Sequence, residues 1–146
     1  MNQGTETTGK QTLLFIDDDP VFLEAQKAFF GARGYTVLTA DGTDAALALL
    51  REEAPDMIIV DLMMEHADSG FRLARRIRRE ERFRSTPLVM LSGVASETGI
   101  GFARERGALR EWSHLDDFLD KPVSAHRLLA VIRERLGAAD EPAGGR

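Results

Sequence analysis

The chain of 146 residues contains no cysteine. That excludes a disulfide framework, thiol catalysis, and thiolate zinc or iron–sulfur sites. No apolar run approaches the length of a bilayer span, so a membrane protein is not expected. The first six residues, Met1-Asn2-Gln3-Gly4-Thr5-Glu6, carry neither a basic nor an apolar stretch, so no signal peptide is expected and a cytoplasmic location is. Positive charge is in deficit. The net charge of -5 argues against general affinity for nucleic acid or anionic lipid, which leaves only a local basic patch to consider. Lysine is scarce, with three in the chain, at positions 10, 27 and 121. What is present is the balance of a globular domain, 43% hydrophobic and 29% charged, at a length that fits one domain.

Residues 1–10 and 138–146 are polar or rich in small residues and read as loose tails around one domain at 11–137. Within it, short apolar runs alternate with helical patterns. Thr12-Leu13-Leu14-Phe15-Ile16 stops at three aspartates. Asp19 is a candidate cap and Pro20 a first-turn residue for a helix in which Val21, Ala25, Ala28, Phe29 and Ala32 recur at helical spacing, with Gly34 placed to end it. Phe22, Phe29 and Phe30 are expected in the core. A β-rich run, 35–40, is followed by Thr43 as the expected cap of a helix carrying Ala46, Leu47 and Leu50. Met57-Ile58-Ile59-Val60 ends in Asp61, and Ser69 or Gly70 opens a helix with Phe71, Ala74 and Ile77 on one face. Pro87-Leu88-Val89-Met90-Leu91 ends in Ser92-Gly93. Phe118-Leu119-Asp120-Lys121 is stopped by Pro122, and Ser124 caps a last helix with Leu128, Leu129, Ile132 and Leu136 inward and Gly137 at its end.

Continuous apolar strands imply burial on both faces, hence an α/β fold with an open, doubly wound parallel sheet covered by helices. In such sheets ligands bind at the carboxyl ends of the strands. Asp17, Asp18, Asp61, Ser92 and Lys121 all fall there. Three carboxylates at neighbouring strand ends repel unless neutralised, and a divalent hard cation such as magnesium does so. A hydroxyl, an ammonium and loop N–H groups are donors for a phosphoryl group. Acids for a metal beside donors for a phosphate describe phosphoryl transfer. Asp61, alone at its strand end, is the better nucleophile. Asp17 and Asp18 are better suited to share the metal.

Four motifs, Leu-Phe-Ile-Asp-Asp-Asp-Pro (14–20), Ile-Val-Asp-Leu-Met-Met (59–64), Met-Leu-Ser-Gly (90–93) and Phe-Leu-Asp-Lys-Pro-Val (118–123), occur in order at strand ends. In this the chain resembles the receiver domain of two-component response regulators from about Thr12 to Leu136. The resemblance implies a flavodoxin-like sheet of order 2-1-3-4-5 and a magnesium cofactor. It implies Asp61 as phospho-acceptor, Asp18 as direct metal ligand, Asp17 acting through water and the backbone carbonyl of Met63 as a further ligand. Ser92 takes the switch position that bonds a phosphoryl oxygen. Lys121 pairs with phosphate and, before phosphorylation, with Asp61. Phe118 matches the aromatic switch, whose inward turn changes the surface seen by partners.

The chain departs from the family pattern in two places. Glu65 stands where many receivers have proline, in a segment (65–70) about one residue longer. Lys121 follows Ser92 by 29 positions, a longer interval than usual, and residues 99–109 lack a helical stripe. An irregular fourth helix, or an insertion in its place, is expected there. Met63 and Val94, which flank the path of hydrolytic water in the family, are apolar, so slow self-dephosphorylation is expected. The arginines at 72, 75, 76, 78, 79, 82 and 84 are expected on a solvated helix face, His66 in an exposed loop, and Trp112 as a packing anchor. The function expected is a single-domain receiver, not an enzyme. It takes phosphate from a histidine kinase or histidine phosphotransfer protein and signals by contact with another protein, as a monomer or weak homodimer. Three rivals are a magnesium-dependent phosphohydrolase with an aspartyl intermediate, an adaptor that no longer uses phosphate and, weakest, a nucleic-acid binder built on the arginine helix. The phosphohydrolase would need an acid where Met63 stands.

Overall fold

A computed structural model describes residues 10–66, 68–93 and 115–137. Five strands form one sheet: β1 (Thr12–Ile16), β2 (Thr36–Ala40), β3 (Met57–Asp61), β4 (Leu88–Ser92) and β5 (Asp117–Asp120). Their order is β2-β1-β3-β4-β5 and every pairing is parallel. Three helices, α1 (Pro20–Gly31), α2 (Thr43–Leu50) and α3 (Ser69–Arg78), and a C-terminal helix (Ala125–Leu136) cover it. The doubly wound sheet expected from the apolar runs is the one observed. The segment expected to hold an irregular fourth helix lies outside the described residues, as do Val94, Trp112 and, apart from Lys10, both expected tails. No helix among the described residues is long and apolar enough to cross a membrane.

The alternation of side chains along a strand sorts the core into two halves. Leu14, Ile16, Ile58, Val60, Leu88, Met90 and Phe118 pack with α2 and α3 through Ala46, Leu50, Phe71, Ala74 and Ile77. Leu13, Phe15, Met57, Ile59, Val89, Leu91 and Leu119 pack with α1 and the C-terminal helix through Leu23, Phe30, Leu128 and Ile132. Strands buried on both faces need apolar residues at every position, which is why β3 and β4 are continuous apolar runs. β2, at the sheet edge, is only partly covered.

Most expected helix ends are observed. Asp19 Oδ1 accepts from the Val21 N–H at 3.0 Å, Pro20 opens α1, Ser124 Oγ accepts from the Arg127 N–H at 3.0 Å, and Gly137 ends the last helix at φ 81°. Three expectations fail. Val21 is 75% exposed, and Ala25, Ala28 and Ala32 also face outward. α1 buries Leu23, Gln26 and Phe30 instead, with Phe22 and Phe29 half-buried. The larger aromatic side chains remove more apolar area than alanine and so set the rotation of the helix. Thr43 does not cap α2 with its own side chain. It is the first helical residue after Gly42, and its N–H is taken by Glu65.

The third failure concerns the arginines. Arg78 does not sit on a solvated face. Its side chain is 12% exposed and donates to the carbonyls of Phe83 (2.8 Å) and Thr86 (2.6 Å) and to Asp116 Oδ2 (2.8 Å). Asp116 Oδ2 also accepts from the Leu88 N–H at 2.8 Å, so one ion pair ties the end of α3 to the entries of β4 and β5. Arg82 bonds the carbonyl of Leu50. Arg72, in contrast, pairs with Asp68 only at 3.7 Å in the open. Arg78→Ala should therefore lower unfolding free energy by about 2 kcal/mol, because buried acceptors and a carboxylate lose their donor. Arg72→Ala should change it by less than about 0.5 kcal/mol. Urea midpoints of the two variants check the contrast.

Candidate functional site

The two-residue alternation that sorts the core also aims the polar groups past it. Asp17 follows Phe15, Asp61 follows Ile59 and Lys121 follows Leu119, each two positions beyond a residue of the α1-side core. The three therefore leave the sheet on one face. The ladder runs on far enough to hold them: the N–H groups of Asp17, Leu62 and Lys121 donate to the carbonyls of Ala40 (3.1 Å), Leu91 (2.8 Å) and Ser92 (2.7 Å).

One carboxylate oxygen from each of Asp17, Asp18 and Asp61 lies within 4.8 Å of the others. Asp17 and Asp61 are buried, and Asp18 is exposed. Lys121 Nζ is 2.8 Å from Asp17 Oδ2 and 3.7 Å from Asp61 Oδ1, with its ammonium 4.9 Å from the ring centre of Phe22. The close partner of Lys121 is thus Asp17, and Asp61 is the second. Asp17 Oδ1 takes the Asp19 N–H at 2.9 Å, which turns the chain into α1.

Burial pushes the Asp61 carboxyl up to about 6, and the charges of Asp17 and Asp18 add to this against the opposing pull of Lys121. Burial alone would push the Lys121 ammonium down. The hydrogen bond and charge of Asp17, with Asp61 and Asp19 behind it, outweigh that and raise it. One lysine thus leaves Asp61 under-neutralised. An all-oxygen set with surplus negative charge fits a small hard dication better than a soft or thiophilic metal.

Ser92 and Phe118 lie on the other face. Ser92 ends β4, two residues after Met90, and is buried. Phe118 pairs in register with Met90 and packs on Phe71, ring centres 6.4 Å apart. The acids and the ammonium are brought together at one face, while the hydroxyl and the aromatic share the other. Met63 projects its side chain outward from the loop after β3, and His66 is exposed as expected.

Residues 13–133 match the response regulator receiver domain family. The chain belongs to that family. It is 34% identical over 125 residues to the transcriptional regulatory protein AfsQ1 of Streptomyces coelicolor, covering 86% of this chain and 51% of that protein. It is 32% identical over 136 residues to the phosphate regulon transcriptional regulatory protein PhoB of Pseudomonas aeruginosa, covering 91% of this chain and 56% of that one. The chain thus spans about half the length of these curated relatives. Among solved structures, chemotaxis response regulator CheY4 of Vibrio cholerae superposes with a TM-score of 0.74 at 25% identity, over 86% of this chain and 98% of that one. The receiver domain of Francisella response regulator 1452 gives 0.71 at 26%, over 86% and 96%.

Two residues of this receiver matter more than the sequence indicated. A Cβ on Gly70 would lie 2.5 Å from the Asp61 carbonyl oxygen and 2.7 Å from Leu62 Cα, and the Gly70 N–H bonds the Leu62 carbonyl at 2.7 Å. Only glycine lets the loop close this tightly on the strand that carries Asp61. Its signal was the Ser-Gly pair at the helix start. Glu65 caps α2 from across the loop. Its carboxyl is held below the usual range, first by the Thr43 N–H. No local pattern signals a cap that comes from 22 residues away.

The native Asp61 holds its proton to higher pH than the unfolded chain does. Stability conferred by this group therefore falls as pH rises from about 4 to about 6, and the loss is complete at neutrality. In metal-free buffer Asp61→Asn should be more stable than the wild type at pH 7, by on the order of 2 kcal/mol, and equal to it near pH 4. Chemical denaturation at the two pH values measures this.

Proposed function

We propose that this receiver takes a phosphoryl group on Asp61 from a histidine kinase or histidine phosphotransfer protein and passes the signal by contact with another protein. The observation that carries the reading is the convergence of Asp17, Asp18 and Asp61, with Lys121 bridging Asp17 and Asp61. The family relation supplies the donor class. In the transfer, a carboxylate oxygen of Asp61 attacks phosphorus, the P–O bond forms, and the P–N bond to the donor imidazole breaks with the electron pair leaving on nitrogen.

Asp17, Asp18 and Asp61, with the backbone carbonyl of Met63, are the residues that would hold magnesium. A bound magnesium ion supplies charge neutralisation for the acids and the phosphoryl oxygens. Lys121 neutralises the transferred group from the α1 side, where its ammonium already sits against Asp17. The Ser92 hydroxyl donates to a phosphoryl oxygen, and Phe118, packed on Phe71, is the element that couples this to the outer surface. The elevated proton affinity of Asp61 has a use here: a carboxylate that is poorly neutralised at rest gains most from a cation. Met63 supplies no acid or base beside Asp61. This argues against a phosphohydrolase, and it leaves hydrolytic water without a partner.

Intact-mass measurement after acetyl phosphate and magnesium should show one added phosphoryl group, none with Asp61→Asn, and little with Lys121→Ala or without magnesium. A wild-type chain that gains no mass would sink the proposal. In the isolated phosphoprotein, Met63→Asn should shorten the phosphoryl lifetime several-fold, followed as decay of the phosphorylated mass. An unchanged lifetime would remove Met63 from the hydrolytic path.

A further inference from the structure

We propose that Glu65 is a positioning residue, a latch that joins the loop after Asp61 to the N-terminus of α2 and so holds the Met63 carbonyl where a metal ligand is needed. The proposal rests on the phosphoryl-acceptor reading given above. Glu65 Oε2 accepts from the Thr43 N–H at 2.8 Å and Oε1 from the Thr43 hydroxyl at 3.0 Å. α2 has no side-chain cap of its own, because its N-cap is Gly42. The carboxylate therefore satisfies an orphan N–H at the positive end of that helix, where an anion is favoured.

The latch closes a ring of contacts around the acids. On one side the Asp17 N–H bonds the Ala40 carbonyl at 3.1 Å, and three residues later Thr43 meets Glu65. On the other side Glu65 lies two residues beyond Met63. Its loop is pinned internally by the Met64 N–H to the His66 carbonyl (3.2 Å) and the His66 N–H to Ser69 Oγ (2.8 Å), and at its base by Gly70 to Leu62 (2.7 Å). Toward α2 the loop tip is tied by the Glu65 carboxylate on Thr43, and toward α3 by the His66 N–H on Ser69 Oγ. Where the family pattern has a proline, stiff by its ring, this chain has a tether.

Gly42 gives an independent handle. Its backbone is extended, at φ 179°, a conformation any residue adopts. A Cβ there would lie 2.5 Å from Glu65 Oε2. Gly42→Ala therefore dislodges the carboxylate without altering Glu65 or the acids.

The experiment is isothermal titration of the full chain with magnesium chloride, alongside amide exchange at Thr43 and thermal unfolding. Glu65→Ala and Gly42→Ala should each weaken magnesium binding roughly tenfold. The double variant should be no weaker than either single one, and Thr43 amide exchange should speed up in all three. Glu65→Gln, which keeps an acceptor for the Thr43 N–H, should stay close to wild type. A lower thermal midpoint with unchanged magnesium affinity would make Glu65 a merely structural cap and overturn the latch. Additive losses in the double variant would overturn it as well, and so would a wild-type chain that binds no magnesium. Phosphorylation of Asp61, read separately by mass, reports on the underlying reading. A chain that takes phosphate with a Glu65-independent magnesium affinity fails the latch alone. One that binds magnesium through the latch but takes no phosphate fails the reading alone.

Discussion

Two buried carboxylates and one exposed one are forced together at the ends of adjacent parallel strands, with a single ammonium to offset them. Folding places these like charges together against their own repulsion, and the apolar burial of the sheet supplies the free energy that holds them there. That constraint organises the rest of the site. Burial first, and the neighbouring acids after it, raise the proton affinity of Asp61, while Asp17 strengthens the hold of Lys121 on its proton, which leaves an anionic cup suited to a dication.

The sheet separates two sets of side chains by parity. Residues that continue the odd-numbered face of the strands, Asp17, Asp61 and Lys121, form the charged cluster against α1. On the even-numbered face Phe118 joins the core shared with α2 and α3, and Ser92 is buried at the end of β4. On that second face the Phe118 ring packs on Phe71 of α3, whose first turn also closes on the Asp61 backbone through Gly70. At the opposite end of the strands Arg78 and Asp116 bind α3, β4 and β5 together.

Much of this was legible in the chain itself. The four apolar runs ending in Asp17, Asp61, Ser92 and Lys121 announced a parallel sheet and its working edge, because a strand buried on both faces has no room for polar residues until it emerges. Local capping at Asp19, Ser124 and Gly137 was equally plain, since each uses a partner two to four residues away. Interactions between distant segments were not. Arg78 looked like one more arginine of a solvated helix. Glu65 registered only as a departure from a family pattern, and the stripe of small residues in α1 pointed to the wrong face.

By itself the sequence determined the fold class, the strand ends where the polar groups emerge and the membership of the acidic cluster, because alternation and periodicity are short-range and burial follows from them directly. Tertiary structure alone decided which acid Lys121 grips most closely, which arginine is buried, and what caps α2. Those outcomes depend on distances between residues tens of positions apart, and such distances exist only once the sheet has brought the segments together.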